Sequence, residues 1–139
     1  MEIIANAPQL VATNQNVIFT DTVIGGCNSI IHRAGSGLVT LRGLTRQCRA
    51  RFKVYFNSNV ALPSGATVSP TSLAIAINGE PVTSTTMITT PAAVNEYHNV
   101  YASIFIDVPK GCCTQVSVEN TSTVSINVQN ANLIVESVA

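Results

Sequence analysis

Four cysteines and two histidines are the residues of this sequence best suited to chemistry, and two of the cysteines are adjacent. Cys112 and Cys113 open a run of alternating polar and β-branched residues, "KGCCTQVSVENTSTVSINV". They could form a reactive centre, a metal clip, a disulfide, or two small apolar side chains at the start of a strand. The residues around them decide between these alternatives, because each chemistry needs its own ligands and spacing.

The sequence lacks the partner residues that a catalytic cysteine or a metal site would need. A Cys or Ser nucleophile needs a histidine in reach, and only His32 and His98 exist. No nucleophile elbow, metalloprotease helix or phosphate-binding loop occurs. A zinc site needs four thiolate or imidazole ligands, and no pair of cysteines at zinc-ligand spacing accompanies Cys27. The sequence therefore predicts a protein that is not an enzyme and that needs no cofactor or metal ion.

A disulfide is also disfavoured. A bridge between adjacent cysteines closes a strained ring, because bridged Cα atoms normally lie farther apart than sequence neighbours. The N-terminus carries Glu2 and no basic segment, so it does not resemble the signal peptide of a secreted protein. Free cysteine is commonly buried as a small hydrophobe. We therefore predict that Cys112 and Cys113 begin a strand, with one side chain inward and one outward.

The composition excludes several classes of partner. Seven basic and seven acidic residues give a net charge of zero, whereas nucleic-acid binding needs a basic excess. No apolar run reaches the roughly 18 residues of a membrane-spanning helix. Charged residues are only 10% of the chain, so much of its surface is expected to pack against copies of itself or a larger assembly.

The elements that must position these residues are strands. The chain has 17 valines, 13 isoleucines and 15 threonines against seven leucines, which favours pleated structure. Alternation and turn residues predict strands at 10–19, 29–33, 38–43, 48–62, 71–77, 100–108, 114–120, 122–130 and 131–138. A single helical turn is predicted within 89–99, where a threonine and a proline begin "TTPAAVNEYHN".

Short strands with many Asn, Ser and Gly turns and no βαβ rhythm predict an all-β sandwich or barrel of antiparallel sheets. We predict one domain over residues 1–139, with residues 1–9 as an N-terminal arm. Its core is expected to contain ten residues: Phe52, Val54, Phe56, Ile75, Ile77, Ile104, Ile106, Val124, Ile126 and Val128.

Three aromatic residues point away from that predicted core. Tyr55 alternates with Phe52, Val54 and Phe56, and Tyr101 and Phe105 alternate with the aliphatic residues of 100–108. Scattered exposed aromatics are ordinary. Aromatic enrichment with little charge is, however, typical of subunit interfaces, so we predict that Tyr55, Tyr101 and Phe105 lie in one.

Four segments in order carry a resemblance to a known family: "IIHRAGSGLVTL", "RARFKVYFNSNVAL", "TSLAIAINGEPV" and "VPKGCCTQVSVENTSTVSINVQNANLIV". Together they resemble bacterial and phage proteins with the tumour-necrosis-factor-like, or complement-globular-head, jelly roll. This family is related to the C-terminal domains of collagen-like exosporium glycoproteins. The resemblance covers roughly residues 10–138 and implies a two-sheet jelly roll of about ten strands, a homotrimer, and a structural or adhesive role.

The sequence departs from the exosporium proteins because it has no Gly-X-Y collagen stalk. We therefore expect a trimer on a phage virion, as a capsid decoration or head-fibre protein assembled in the host cytoplasm, with phage capsid proteins as partners. Two alternatives stay open: an extracellular head that binds carbohydrate or a receptor, and a protein of the bacterial spore surface.

Overall fold

Twelve β-strands and no α-helix form the protein. The computed structural model describes residues 1–139, with one 3₁₀ turn at Thr83–Thr85. In chain order the strands are β1 (Glu2–Ala5), β2 (Gln9–Val11), β3 (Asp21–Ile24), β4 (Ile30–His32), β5 (Val39–Arg42), β6 (Arg49–Ala61), β7 (Thr71–Ile77), β8 (Glu80–Pro81), β9 (Met87–Thr89), β10 (His98–Pro109), β11 (Cys113–Asn120) and β12 (Ile126–Ser137). No helix of the protein has the length and apolar character needed to cross a membrane.

The strands form two antiparallel sheets of six. Sheet A has the order β10-β6-β12-β1-β3, with β2 also paired to β12. Sheet B has the order β4-β5-β11-β7-β8, with β9 also paired to β7. The long strands alternate between the two sheets along the chain. Strands β6, β10 and β12 lie in sheet A, whereas β7 and β11 lie in sheet B. This arrangement is a jelly-roll sandwich, and it confirms the predicted fold class.

One apolar core lies between the sheets, in a cluster of 27 buried residues. Seven residues of the predicted core are buried there: Phe52, Val54, Phe56, Ile75, Ile106, Ile126 and Val128. The other three, Ile77, Ile104 and Val124, are partly buried and pack against the cluster. Phe19 is fully buried and meets Phe56 edge to face, with ring centroids 6.3 Å apart.

The N-terminal segment is not an arm. Residues 2–5 form β1, which pairs with β12 on one side and β3 on the other, and Ile3 is fully buried. The prediction of an arm over residues 1–9 was therefore wrong. The segment is too short for its alternation to be evident, and its strand forms only because distant β12 supplies the hydrogen-bonding edge.

Three further element boundaries differ from the predictions. The helical turn predicted within 89–99 is wrong; the segment is an irregular turn in which Asn95 takes a φ of 59°. The strand predicted over 10–19 ends at Val11 and continues as irregular chain with isolated bridges. The strands predicted at 122–130 and 131–138 are largely a single strand, β12. It continues through a shift in its register with β6 between Gln129 and Asn132.

Candidate functional site

The outer face of sheet A carries the predicted aromatic residues. β6 and β10 pair so that Tyr101 lies opposite Asn57, Ser103 opposite Tyr55, and Phe105 opposite Lys53. Inward-facing residues on both strands fill the core, so the alternate positions project from the sheet. Tyr101 and Phe105 are each 58% exposed. We call Tyr55, Tyr101 and Phe105 the aromatic stripe.

Lys53 joins two members of the stripe. Its Nζ lies 5.0 Å from the ring centroid of Tyr55 and 4.8 Å from that of Phe105. Both distances fall within cation–π range, so the ammonium group is held between the two rings. Tyr101 lies farther along β10, separated from Phe105 by Ser103 on the outward face. The sequence did not identify Lys53, although its outward parity with Tyr55 was visible.

Tyr55 is anchored by its hydroxyl group, which donates to Glu136 Oε1 at 2.9 Å. This hydrogen bond raises the pKa of Tyr55, and desolvation and the negative charge of Glu136 act in the same direction. The ring is therefore fixed on β6 by a carboxylate from β12. Glu2 on β1 is fixed similarly, because its Oε2 accepts a hydrogen bond of 2.7 Å from Asn132 Nδ2.

An arginine–aspartate pair closes one end of the stripe. Arg51 donates from Nε to Asp107 Oδ1 at 2.7 Å and from Nη2 to Oδ2 at 3.0 Å. Arg49 Nε adds a contact of 3.5 Å to the same carboxylate. The hydrogen bonds from Arg51 hold the pKa of Asp107 below its ordinary value, and the positive charges of both arginines add to this effect.

The charged residues of this face are balanced in number. Three basic residues project from β6, namely Arg49, Arg51 and Lys53, and three acidic residues accompany them, namely Asp107, Glu136 and Glu2. Each has a hydrogen bond, an ion pair or an aromatic ring as a partner on the same face. Only Arg49, Arg51 and Asp107 are ion-paired, whereas Lys53, Glu136 and Glu2 have a ring or a neutral hydrogen-bond partner. Covering the face would therefore bury equal numbers of positive and negative groups, which lowers the electrostatic cost of association.

The cavities of the protein are small. One of about 250 Å³ lies on the sheet A face between Ile24, Ile134 and Glu136. The other, about 230 Å³, is lined by Ala5, Ala7, Pro8, Gln9, Ile18 and Thr20. Both are below the roughly 300–1,000 Å³ of typical small-molecule sites. The extended surface of sheet A therefore offers the larger area for binding.

The partners of the two histidines are not cysteines. His32 Nε2 lies 3.0 Å from the Ser36 carbonyl oxygen, and His98 lies 3.4 Å from Glu96. No group of three His, Cys, Asp or Glu side chains is arranged to hold a metal ion. All four cysteines are free and exposed, so the prediction that one of Cys112 and Cys113 points inward was wrong. Cys113 shares the outward parity of Gln115, while Thr114 faces the core.

Asn120 is a structural residue that the sequence analysis missed. With Thr121 and Ser122 it matches the pattern of an N-glycosylation acceptor, which normally lies in an exposed loop. The structure buries it completely. Its Nδ2 donates to the carbonyl oxygens of Val11 and Val124, both at 2.9 Å, and its Oδ1 accepts from the Ser122 amide. The amide thus ties the end of β11 to the end of β2 and to the segment that precedes β12.

Comparisons with known proteins give structural similarity only. No protein-family model matches the chain, and no match occurs among curated proteins. The C-terminal domain of the sugar-binding protein EclA is 13% identical, with a TM-score of 0.45, over 95% of this chain and 79% of that one. A family 35 carbohydrate-binding module from Cellvibrio japonicus is 11% identical, with a TM-score of 0.40, over 100% of this chain and 98% of that one. Another from Clostridium thermocellum is 14% identical, with a TM-score of 0.36, over 92% and 98%.

Proposed function

We propose that the chain is a non-catalytic structural protein that assembles as a homotrimer through the aromatic stripe. The observation that carries this proposal is an exposed aromatic surface whose neighbouring charges are balanced in number. The resemblance of the sequence to trimeric jelly rolls supplies the number of subunits. The geometry of the face supplies the reason for association.

Two physical arguments support self-association. Tyr101 and Phe105 expose more than half of their surface, and covering large aromatic side chains is a main source of interface energy. The face also carries balanced charge, so copies placed around a symmetry axis do not repel one another. Ile134 and the 59% exposed Ile24 extend the apolar surface across sheet A towards β3.

We further propose that the trimer belongs to a phage particle, as a capsid decoration or head-fibre protein on the virion surface, with capsid proteins as partners. The resemblance to phage and exosporium jelly rolls supports this placement. A spore-surface protein is the alternative within the same structural class. Detection of the chain in purified virions, or in spore coats instead, separates the two.

The experiment that tests the assembly is sedimentation velocity of the purified chain over a concentration series. A trimer sediments with three times the 14.6 kDa mass of the chain. Hydrogen exchange of the same sample should protect the backbone amides of β10, which otherwise forms the outer edge of sheet A. A monomer at high micromolar concentration, with β10 unprotected at its free edge, contradicts the proposal.

Carbohydrate binding is the second candidate, and one feature favours it. Beside Tyr101, the amides of Asn59, Asn99 and Asn130 form a hydrogen-bonded row, with Asn99 Nδ2 3.2 Å from Asn59 Oδ1 and Asn59 Nδ2 3.3 Å from Asn130 Oδ1. An exposed ring offers an apolar surface to a sugar, and amides offer both donors and acceptors to its hydroxyls.

A glycan screen with calorimetry tests this candidate. Micromolar binding that is lost in Tyr101→Ala would identify a carbohydrate-binding head. The two candidates compete for one surface, because a trimer that covers Tyr101 also covers the ring that a sugar would contact. Glycan binding by the trimer that survives Tyr101→Ala would place the carbohydrate site elsewhere.

A further inference from the structure

The segments that carry the four exposed cysteines meet at one end of the sandwich. Cys27 precedes β4, Cys48 precedes β6, and Cys112 and Cys113 lie at the turn into β11. Four free thiols exposed together are unusual, because free cysteine is among the most buried residue types. We call Cys27, Cys48, Cys112 and Cys113 the thiol end.

Backbone contacts place these segments next to one another. The Gly43 amide donates to the Cys112 carbonyl oxygen at 2.8 Å, and the Lys110 amide donates to the Cys48 carbonyl oxygen at 3.0 Å. Arg42 lies opposite Cys113 in the ladder between β5 and β11. On its other side, the Arg42 amide donates to the carbonyl oxygen of Ser29 at 2.8 Å, two residues after Cys27.

The thiol end is also the basic end of a neutral protein. Five of the seven basic residues belong to the same segments: Arg42, Arg46, Arg49, Arg51 and Lys110. Asp107 pairs with two of them, Arg49 and Arg51. The remaining three make no ion pair, so their positive charge is uncompensated. Exposed thiols in an electropositive setting are the ones that react, since a positive field favours the thiolate form.

Among the four thiols, Cys27 has the most specific surroundings. Its Sγ lies 2.9 Å from the Ser29 hydroxyl oxygen. Hydrogen bonding from the Ser29 side chain, followed by that from its backbone, lowers the pKa of the Cys27 thiol. The carbonyl oxygen of Asn28, the next residue in the chain, accepts from Arg42 Nη1 at 3.3 Å.

We propose that the thiol end is a site of thiol–disulfide exchange with small anionic disulfides, and that Cys27 is the attacking thiol. The Cys27 thiolate attacks one sulfur of the disulfide and forms a mixed disulfide with it. The original sulfur–sulfur bond breaks, and the departing thiolate takes up a proton from water. The exchange needs no separate oxidant, because one disulfide is consumed and one is formed.

The charge of the end explains the choice of an anionic substrate. Uncompensated guanidinium and ammonium groups attract carboxylates over a distance of about 10 Å at 0.1 M ionic strength. Exchange would place acidic groups among Arg42, Arg46 and Lys110 and neutralise the basic end. The modification thus changes both the charge and the shape of one end of the protein while the aromatic stripe is left untouched.

The test measures exchange rates of the fully reduced protein with two disulfide probes, oxidised glutathione, which is anionic, and 2-hydroxyethyl disulfide, which is neutral. Mass spectrometry at early times assigns the modified cysteine. We expect Cys27 to react first, at least about threefold faster than the other thiols, with a preference for the anionic probe that falls as salt is added. Arg42→Gln should reduce that preference while the neutral probe reacts nearly as before.

Matched variants keep the test decisive. Cys27→Ser should remove the fast reaction, whereas Cys48→Ser, at another exposed thiol, should leave it unchanged. Ser29→Ala should move the midpoint of the rate-against-pH profile of Cys27 upward, with the circular dichroism spectrum unchanged to show that the variant is folded. Equal rates at all four cysteines would overturn the proposal. So would the lack of any preference of Cys27 for the anionic probe over the neutral probe at low salt.

Discussion

Arg51 on β6 and Asp107 on β10 form a bidentate ion pair, with donor–acceptor distances of 2.7 and 3.0 Å. Because the pKa of Asp107 is lowered in the folded protein, its ionised form stabilises the fold at pH values above the ordinary carboxyl pKa of 3.8. This contribution is lost as the pH falls through the lower, folded-state pKa. The pair is solvent-exposed, so the effect is expected to be small.

Asp107→Asn should therefore lower the Tm slightly at neutral pH, and the difference from the unmodified chain should shrink below a pH of about 3.8. Thermal unfolding followed by circular dichroism across that range measures the difference. Asp21→Asn is the control, because the Asp21 carboxylate makes no ion pair. A Tm difference that grows on acidification would show that the pair does not stabilise the fold.

Tyr101→Asp should dissociate the proposed trimer. A negative charge at a position that is 58% exposed in the single chain would have to be buried without a partner on assembly. Sedimentation velocity should then detect monomers or aggregates with a normal β-sheet spectrum. Tyr97→Asp is a matched control, because Tyr97 is also exposed, at 42%, but lies outside the aromatic stripe. An intact Tyr101→Asp trimer would remove the stripe from the interface.

Asn120→Ala should destabilise the fold by about 2–4 kcal/mol, because several hydrogen-bonding groups lose their partner in a buried site. The carbonyl oxygens of Val11 and Val124 and the amide of Ser122 would all be affected. Urea unfolding gives the change in free energy. Asn127→Ala, at a half-buried position on β12, should cost much less. Similar values for the two variants would mean that the Asn120 network contributes little.

Gly43→Ala should destabilise the junction between β5 and the turn after β10. A Cβ at this position would lie 2.2 Å from the Pro109 carbonyl oxygen, which is backbone and cannot simply rotate away. We expect a loss of about 1–3 kcal/mol, typical of overpacking. Gly25→Ala is the control, since a Cβ there would have no neighbour within 4 Å. The same unfolding measurement applies, and equal stability of both variants would contradict the close approach.

Much of the fold was predictable because it follows from local alternation. β6 and β10 have nearly the predicted extents, and their alternation placed Phe52, Val54 and Phe56 inward and Tyr55, Tyr101 and Phe105 outward. β1 was not predictable, because four residues give too little periodicity and the strand depends on the edges of β12 and β3. The same limit applies to the segment 89–99, where helix-favouring residues form an irregular turn instead.

In the candidate site, too, some features could be predicted from the sequence and others could not. Its aromatic residues could be assigned to an outer face from strand parity alone. The contacts of its charged residues could not be predicted, because Lys53, Asp107 and Glu136 lie on three strands far apart in sequence. The thiol end was missed for the same reason and for one more. Cysteine is usually buried, and that tendency gave the wrong expectation that one of Cys112 and Cys113 points inward.

The sequence by itself determined that this chain forms antiparallel strands, which side chains of the long strands face the core, and that three aromatics remain outside. A strand has a period of two residues, so its faces can be assigned without knowledge of its neighbours. Only the tertiary structure decided which strands adjoin, and with them the pairing of charges beside the stripe and the gathering of thiols and cations at one end. Those relationships join residues distant in sequence, and they depend on strand order and register, which local alternation does not specify.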